Sequence, residues 1–358
     1  MKKMIFGLLS MVVFTANAQN FENLLASGKE DASIYLGHYM QPVFKGLIYD
    51  LNGGWYHTGK THKKYGFDVT VNVAASLVPQ SEKTFAFRNA DYSNLELTNG
   101  LDYDNLPSVM GQTSNQRISI KIPIDALGNV IPNDSNVLPT SFQVASFETL
   151  DGIEDELPIA AVPAPMIQFG IGLPSKTDIK LRFVPNIGNK DVTFNLFGIG
   201  LQHNLLQHFK LANKVPLIDV SLLGAFTTST TVYAPQDSAI GVNQETIIKV
   251  NAFTAQLVGN FDLKIISFYA GLGYIAGISN TKVNGDYTFH YNLTDNLGIP
   301  ITGQQTKTIH NPINIDYTLS GVKATLGMRL NIAWFKIFAD YSFQEYNTVN
   351  AGIAFSYR

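Results

Sequence analysis

The sequence predicts an all-β protein: a transmembrane antiparallel up-and-down β-barrel of about 12 strands, with 14 as the alternative, and a short N-terminal helical plug-like segment. Three observations point there. The chain opens with an export leader. No later apolar run is long enough to cross a bilayer as a helix, which needs roughly 20 residues. Apolar and polar residues then alternate over many stretches, the last of which ends the chain on Phe355 and Tyr357. Only helices and closed barrels satisfy every backbone polar group in lipid, so without a second apolar helix the membrane reading requires a barrel.

The leader, 1–18, reads as a signal peptide: Lys2 and Lys3, an apolar stretch from Met4 to Phe14, and small residues Ala16-Asn17-Ala18 before Gln19. Its removal takes two lysines and no acid, so the formal net charge moves from −3 to −5, a balance that gives no sign of nucleic-acid binding. The absence of cysteine excludes disulfides, thiolate metal sites, cysteine nucleophiles and a lipid-modified N-terminus.

Residues 19–44 precede the wall. Phe21, Leu24 and Leu25 have helical spacing, Asp31 is placed to cap a second helix through Tyr39, and Pro42 is expected to end it. With Tyr35, Tyr39 and Phe44 they read as a plug entering from the periplasmic side. A surface-lying leader is the alternative.

The barrel is assigned to 45–358, with strands starting near 45, 65, 83, 161, 177, 191, 216, 246, 263, 315, 334 and 348. Phe67, Val69, Val71 and Val73 oppose Asp68, Thr70 and Asn72. Ile179, Leu181 and Phe183 oppose Asp178, Lys180 and Arg182. These runs exceed the 5–6 residues usual for soluble strands, and their polar faces carry glycines and isolated charges that suit a wet lumen. An even count puts both termini in the periplasm. The long connections 89–160 and 278–314 then fall outside and Pro174-Ser175-Lys176 inside. Residues 204–215 break the pattern and read as a short periplasmic helix. Arg117–Ile124 and Ser141–Phe147 also alternate but are short, which suits a hairpin outside the membrane or in the mouth.

Candidate functional residues follow from that wall. Lys180, Arg182, Arg329, Lys336 and Arg358 form a basic cluster on the lumen side near the periplasm, with Asp178, Asp219 and Asp340 as acidic partners. The expected role is an ion-pair network joining plug to wall, and the sharper alternative is an anion-selective constriction. Segment 89–160 holds eleven acids against Arg117 and Lys121, a solvated acidic loop facing outward. Its Asp151–Glu156 run lacks the ligand spacing of an EF-hand. Gly54-Trp55-Tyr56-His57-Thr58-Gly59-Lys60-Thr61 matches a phosphate-loop pattern, but an alternating strand follows where that mechanism needs a helix. Gly59-Lys60 is read as an outward hairpin loop. The seven histidines suggest no metal site, no cofactor is implied, and no Ser/His/Asp arrangement stands out. Asn292-Leu293-Thr294 fits a glycosylation acceptor only formally.

The leader with Gln19, the run Pro163 to Pro174 and Lys180 to Pro185 resemble a family of uncharacterised Gram-negative outer-membrane barrels. More distantly, the plug-like leader, long outer loops and aromatic last strand resemble the FadL-type long-chain fatty-acid transporters. The chain lacks the Asn-Pro-Ala motif of that family, and no binding residue is carried over. The export leader and the aromatic last strand lead to the expectation of residence in the cell outer membrane, among outer-membrane lipid and lipopolysaccharide, after insertion by the barrel-assembly machinery. The leading functional expectation is a barrel that passes or binds a small apolar molecule, through a cavity lined by aromatics such as Tyr269. The second is a structural or surface-interaction barrel working through its acidic loop. The third is an outer-membrane hydrolase, although no enzymatic activity is the primary expectation.

Overall fold

The computed structural model describes residues 18–123, 141–209, 217–235, 241–291 and 305–357. Two helices, α1 (Ala18–Ala26) and α2 (Lys29–Leu51), come first. Then follow β1 (Phe67–Leu77), four short strands β2 (Thr84–Arg88), β3 (Leu95–Leu97), β4 (Tyr103–Pro107) and β5 (Arg117–Pro123), and β6 (Ser141–Glu148). The remaining strands are β7 (Ala161–Leu173), β8 (Thr177–Gly188), β9 (Val192–Asn204), β10 (Ile218–Tyr233), β11 (Gly241–Leu263), β12 (Ile266–Tyr291), β13 (Gln305–His310), β14 (Ile313–Ile332), β15 (Phe335–Phe343) and β16 (Thr348–Tyr357).

Among the described residues eleven strands share one antiparallel sheet. Ten of them close a ring in the order β1, β7 to β12, β14, β15, β16 and back to β1, while β13 pairs only with the far end of β12. The last strand seals against the first, from Phe67 opposite Tyr357 to Ser76 opposite Thr348. The chain is therefore a transmembrane up-and-down barrel. Turns at the rim that holds Tyr357 are tight: Ser175, Lys176, Lys264 and Ala333 take positive φ there, as two-residue hairpins demand. The opposite end, the mouth, carries the longer excursions.

Two expected strands are not in the ring, which is why it has ten members rather than about twelve. Residues 45–51 belong to α2, which runs straight through Pro42. Tyr39, Phe44, Ile48 and Leu51 are all buried, and packing on most sides outweighs the roughly 3 kcal/mol that an internal proline costs. Near 83, β2 pairs with β4 in a separate two-stranded sheet. β5 and β6 pair with each other and with β3, also outside the ring. The two losses keep the count even. In 204–215 a single 3-10 turn, Leu206–His208, is formed before the described residues break off.

Strand heights are unequal. β15 and β16 have 9 and 10 residues, enough to cross a bilayer at a tilt, whereas β11, β12 and β14 have 23, 26 and 20. Along β12 the outward positions are Phe268, Ala270, Leu272, Tyr274, Ala276 and Ile278, and then Asn280, Lys282 and Asp286. The inward set runs oppositely, from Ser267 and Gly271 to Ile275, Val283 and Tyr287. Lipid outside and a polar lumen inside thus give way, above Ile278, to water outside and an apolar core inside. β14 inverts at the same level: Leu326 and Val322 give way outward to Ser320, Thr318 and Asp316, with Ile278 opposite Thr318.

That upper core holds the helices. Leu24, Tyr35, Tyr39 and Phe44 pack with Ile275, Val283 and Ile313 of the tall wall, and with Phe87, Leu95, Leu106 and Ile118 of the small sheets. The β2–β6 segment thereby forms a cap over the mouth.

Candidate functional site

Between α2 and β1 the chain runs down the inside of the barrel, from the mouth to the rim. Its local sequence explains the extended course. Asn52 ends α2 by donating from both N–H and Nδ2 to the Ile48 carbonyl, Gly54 takes φ +64°, and no helical period continues. Trp55, Tyr56, His57, Thr58, Thr61 and His62 are all buried. Gly59-Lys60 is therefore a lumen segment, not an outward hairpin loop. A Cβ on Gly59 would sit 2.8 Å from the Val258 carbonyl oxygen, so only glycine lets the backbone lie this close to the wall.

Wall side chains grip this segment mostly by its carbonyls. Arg182, fully buried, donates to the Leu51 and Gly53 carbonyls at 3.1 and 2.6 Å and to Gln168 at 3.1 Å. Its guanidinium carbon also lies 3.8 Å from the centre of the Trp55 ring. Lys180 and Gln168 donate to the Trp55 carbonyl, Gln202 to that of Thr58, Ser221 to that of Gly59 and Lys323 to that of Asn52. Arg182 and Lys323 thus meet the C-terminal end of α2, where the helix dipole favours cations. Tyr56 Oη donates to Gln256 at 2.9 Å and stands over Gly271, where a side chain would collide with it. Several lumen glycines are sockets for the aromatic residues of the threaded segment.

Toward the rim, acids and histidines take over. The Asp178 carboxylate accepts the main-chain N–H and Nδ1 of His62, both at 2.9 Å. Arg329 Nη1 donates to His57 Nδ1 at 3.2 Å, which leaves His57 Nε2 as the protonated nitrogen, 3.3 Å from Asp68. Arg329 also reaches Asp262 at 3.4 Å. Asp340 accepts from Tyr269 at 2.9 Å and Asn350 at 2.8 Å. Tyr269, expected to line a cavity, is held in this network.

Of the expected basic cluster, Lys180, Arg182 and Arg329 lie buried in the lumen and Lys336 sits half-buried at the rim, donating to the Ala333 carbonyl. Arg358 lies outside the described residues, as does the Asn292-Leu293-Thr294 site. Asp178 and Asp340 face the lumen, and Asp219 holds Asn204 near the rim. Carbonyls of the threaded segment, the Trp55 ring and His57 are among the partners of Lys180, Arg182 and Arg329, because that segment runs beside them. The residues Phe21, Leu24, Tyr35, Tyr39 and Phe44 are brought together, but at the mouth. The plug helices sit at the end of the barrel opposite Tyr357.

Trp55, Tyr56, His57, His62, Asp68, Asp262 and Lys323 were not among the candidate residues. Asp68 and Lys323 carried a usable signal as isolated charges on alternating strands. The aromatic pair inside a glycine-bracketed run was the signal for the threaded segment.

Cap and plug are latched together. The Asp31 carboxylate, expected to cap a helix, instead accepts three main-chain N–H groups, from Ser93, Asn94 and Leu95, at 2.6–3.1 Å. Lys45 joins Glu82 (2.8 Å) to Glu345 (2.7 Å). Burial works against its charge, yet those hydrogen bonds hold its pKa above the ordinary value. Beside α2 an apolar cleft of about 20 Å³ is lined by Phe21, Tyr39, Met40, Ile248, Val283 and Ile313. A His–Asp contact at the mouth, His310 to Asp286 at 2.5 Å, is exposed on the outside of the tall wall.

The chain belongs to a family described as "Family of unknown function (DUF6588)", whose model matches residues 1–357. No curated protein matches it. Among solved structures it is similar to the attachment invasion locus protein Ail of Yersinia pestis, with 9% identity, 82% of this chain and 100% of that one covered, and TM-score 0.25. It is also similar to the outer membrane protease OmpT from Escherichia coli (8%, 82% and 97%, TM-score 0.27). The translocator domain of the autotransporter NalP from Neisseria meningitidis is a third (9%, 93% and 99%, TM-score 0.24).

Proposed function

We propose that this member of the DUF6588 family is a closed outer-membrane barrel that acts at the cell surface through its cap. One observation carries the reading: the lumen is occupied by the chain's own residues 52–66, held strand by strand by Arg182, Lys180, Gln202, Ser221 and Arg329. The space a solute would cross is taken up by hydrogen-bonded protein, while the described residues between β1 and β7 form the cap over the mouth. The export leader and the outward apolar band support the outer membrane as its site, with lipopolysaccharide around the mouth and the assembly machinery as the route of insertion. The tight turns then face the periplasm and the cap faces outward.

Two measurements test this together. The purified barrel in planar bilayers is expected to show no steady conductance, and deleting residues 95–155 is expected to abolish a surface phenotype such as adhesion while the barrel still inserts. Steady solute-size conductance, or a phenotype indifferent to the deletion, would overturn it.

A further inference from the structure

The rim carries a pair of histidines that the lumen network does not use. His203, at the end of β9, and His208, in the 3-10 turn that follows, place their Nε2 atoms 2.9 Å apart. The tautomer of His203 follows from its neighbours. Thr177 Oγ1 donates its single hydrogen to the Ser175 carbonyl at 3.2 Å, so it accepts from His203 Nδ1 at 2.7 Å. His203 is therefore protonated at Nδ1, oriented by a hydrogen-bonded hydroxyl, and presents a bare lone pair at Nε2. An imidazole held by its other nitrogen is the usual setting of a metal-binding histidine. The lone pair now receives His208 Nε2 and, at 3.1 Å, Gln207 Nε2, two soft contacts a cation can replace.

We propose that His203 and His208 bind a divalent transition-metal ion at this rim, cupric in preference to zinc. Affinity of imidazole sites rises along the first-row divalent ions to Cu(II) and falls again at Zn(II), which sets the preference. The 2.9 Å contact is itself an N–H···N hydrogen bond, so binding moves the His208 proton from Nε2 to Nδ1 and turns the rings until both lone pairs face the ion. Among the described residues no cluster of three or more His, Cys, Asp or Glu ligands exists, so water completes the coordination and the ion stays exchangeable. The site needs neither the cap nor an open lumen.

The test is Cu(II), Ni(II) and Zn(II) titration of the untagged full-length mature barrel in detergent, read by calorimetry, with electron paramagnetic resonance for copper. One Cu(II) per chain is expected, with nitrogen hyperfine structure and the affinity order Cu(II) over Ni(II) over Zn(II). His203→Ala and His208→Ala should each weaken copper at least tenfold. Thr177→Val, which keeps both ligands but frees the His203 ring, should weaken it severalfold. Unchanged heat-modifiable gel mobility reports that each variant is folded. Copper bound equally by wild type and both histidine variants, or no binding by folded wild type at 100 μM metal, overturns the proposal.

Discussion

Trp55 is covered by the Arg182 guanidinium and lies against Gly200, where a Cβ would come within 2.9 Å of its ring. It therefore joins three elements at once: the threaded segment, β8 and β9. Replacing it by alanine removes a buried indole, for which about 3–5 kcal/mol is usual, and bares Arg182. Trp55→Ala should lower the temperature at which the detergent-solubilised barrel loses its folded gel mobility, and Arg182→Met, which leaves the Leu51 and Gly53 carbonyls without their donor, should act in the same direction. Glu345 gives a pH dependence. Burial raises its carboxyl, but hydrogen bonds and charge from Lys45, with Tyr49, outweigh this and hold it below the ordinary 4.5. A depressed carboxyl pKa contributes stability above the unfolded value and loses it as pH falls through the folded one. Glu345 is half-exposed, so the effect is small. Thermal stability of the wild type should fall as pH drops below about 4.5, and Glu345→Gln should flatten that fall.

At the scale of elements, the wall was legible and its contents were not. β16 alternates in burial as its residues alternate in polarity, with Val349, Ile353, Phe355 and Tyr357 outward and Asn350, Ala354 and Ser356 inward. A strand between two different solvents has to show period two, so a single sequence reveals it. Residues 52–66 have no such pair of faces. Trp55 meets β8 and β9, Tyr56 meets β11 and β12, and His57 meets β1 and β14, so neighbours surround the segment and leave no repeat to read. The end of α2 misled for a related reason. Lys45, Leu47, Tyr49 and Leu51 can be read as a strand face, and a helix buried nearly all round shows little amphipathicity to contradict it. Asp31 is the element-scale prediction. Asp31→Asn keeps the shape but loses the charge that gathers three amides, so the cap of the intact barrel should become more sensitive to added protease while the wall stays resistant. Equal cleavage rates would show that the latch is dispensable.

The whole molecule has three layers: an aromatic-edged rim, a polar belt at membrane depth, and an apolar storey above it. Their sidedness can be read chemically because the chain has no cysteine of its own. Lys60 points to the rim near Asp262, with its side chain 46% exposed, and Leu101 lies exposed on the cap. In intact cells a membrane-impermeant maleimide should label Leu101→Cys and spare Lys60→Cys until the outer membrane is permeabilised. The reverse pattern would invert the proposed orientation. The polarity switch in β12 and β14 was present in the sequence as the change from Ile278 to Asn280 and from Val322 to Ser320. Period-two alternation alone does not reveal it, because the alternation persists while the two solvents exchange sides.

The seam between β1 and β16 has a consequence for how such a molecule is built. The threaded segment continues directly into β1, and above it hang two helices seated under the cap. Once the first and last strands have zipped together from Phe67 to Ser76, those helices would have to unravel to be drawn out through the belt. A sheet that curls around an interior already laid down by the chain's beginning avoids that unravelling. The geometry suits a wall wrapped about its own filling better than an empty cylinder later stoppered.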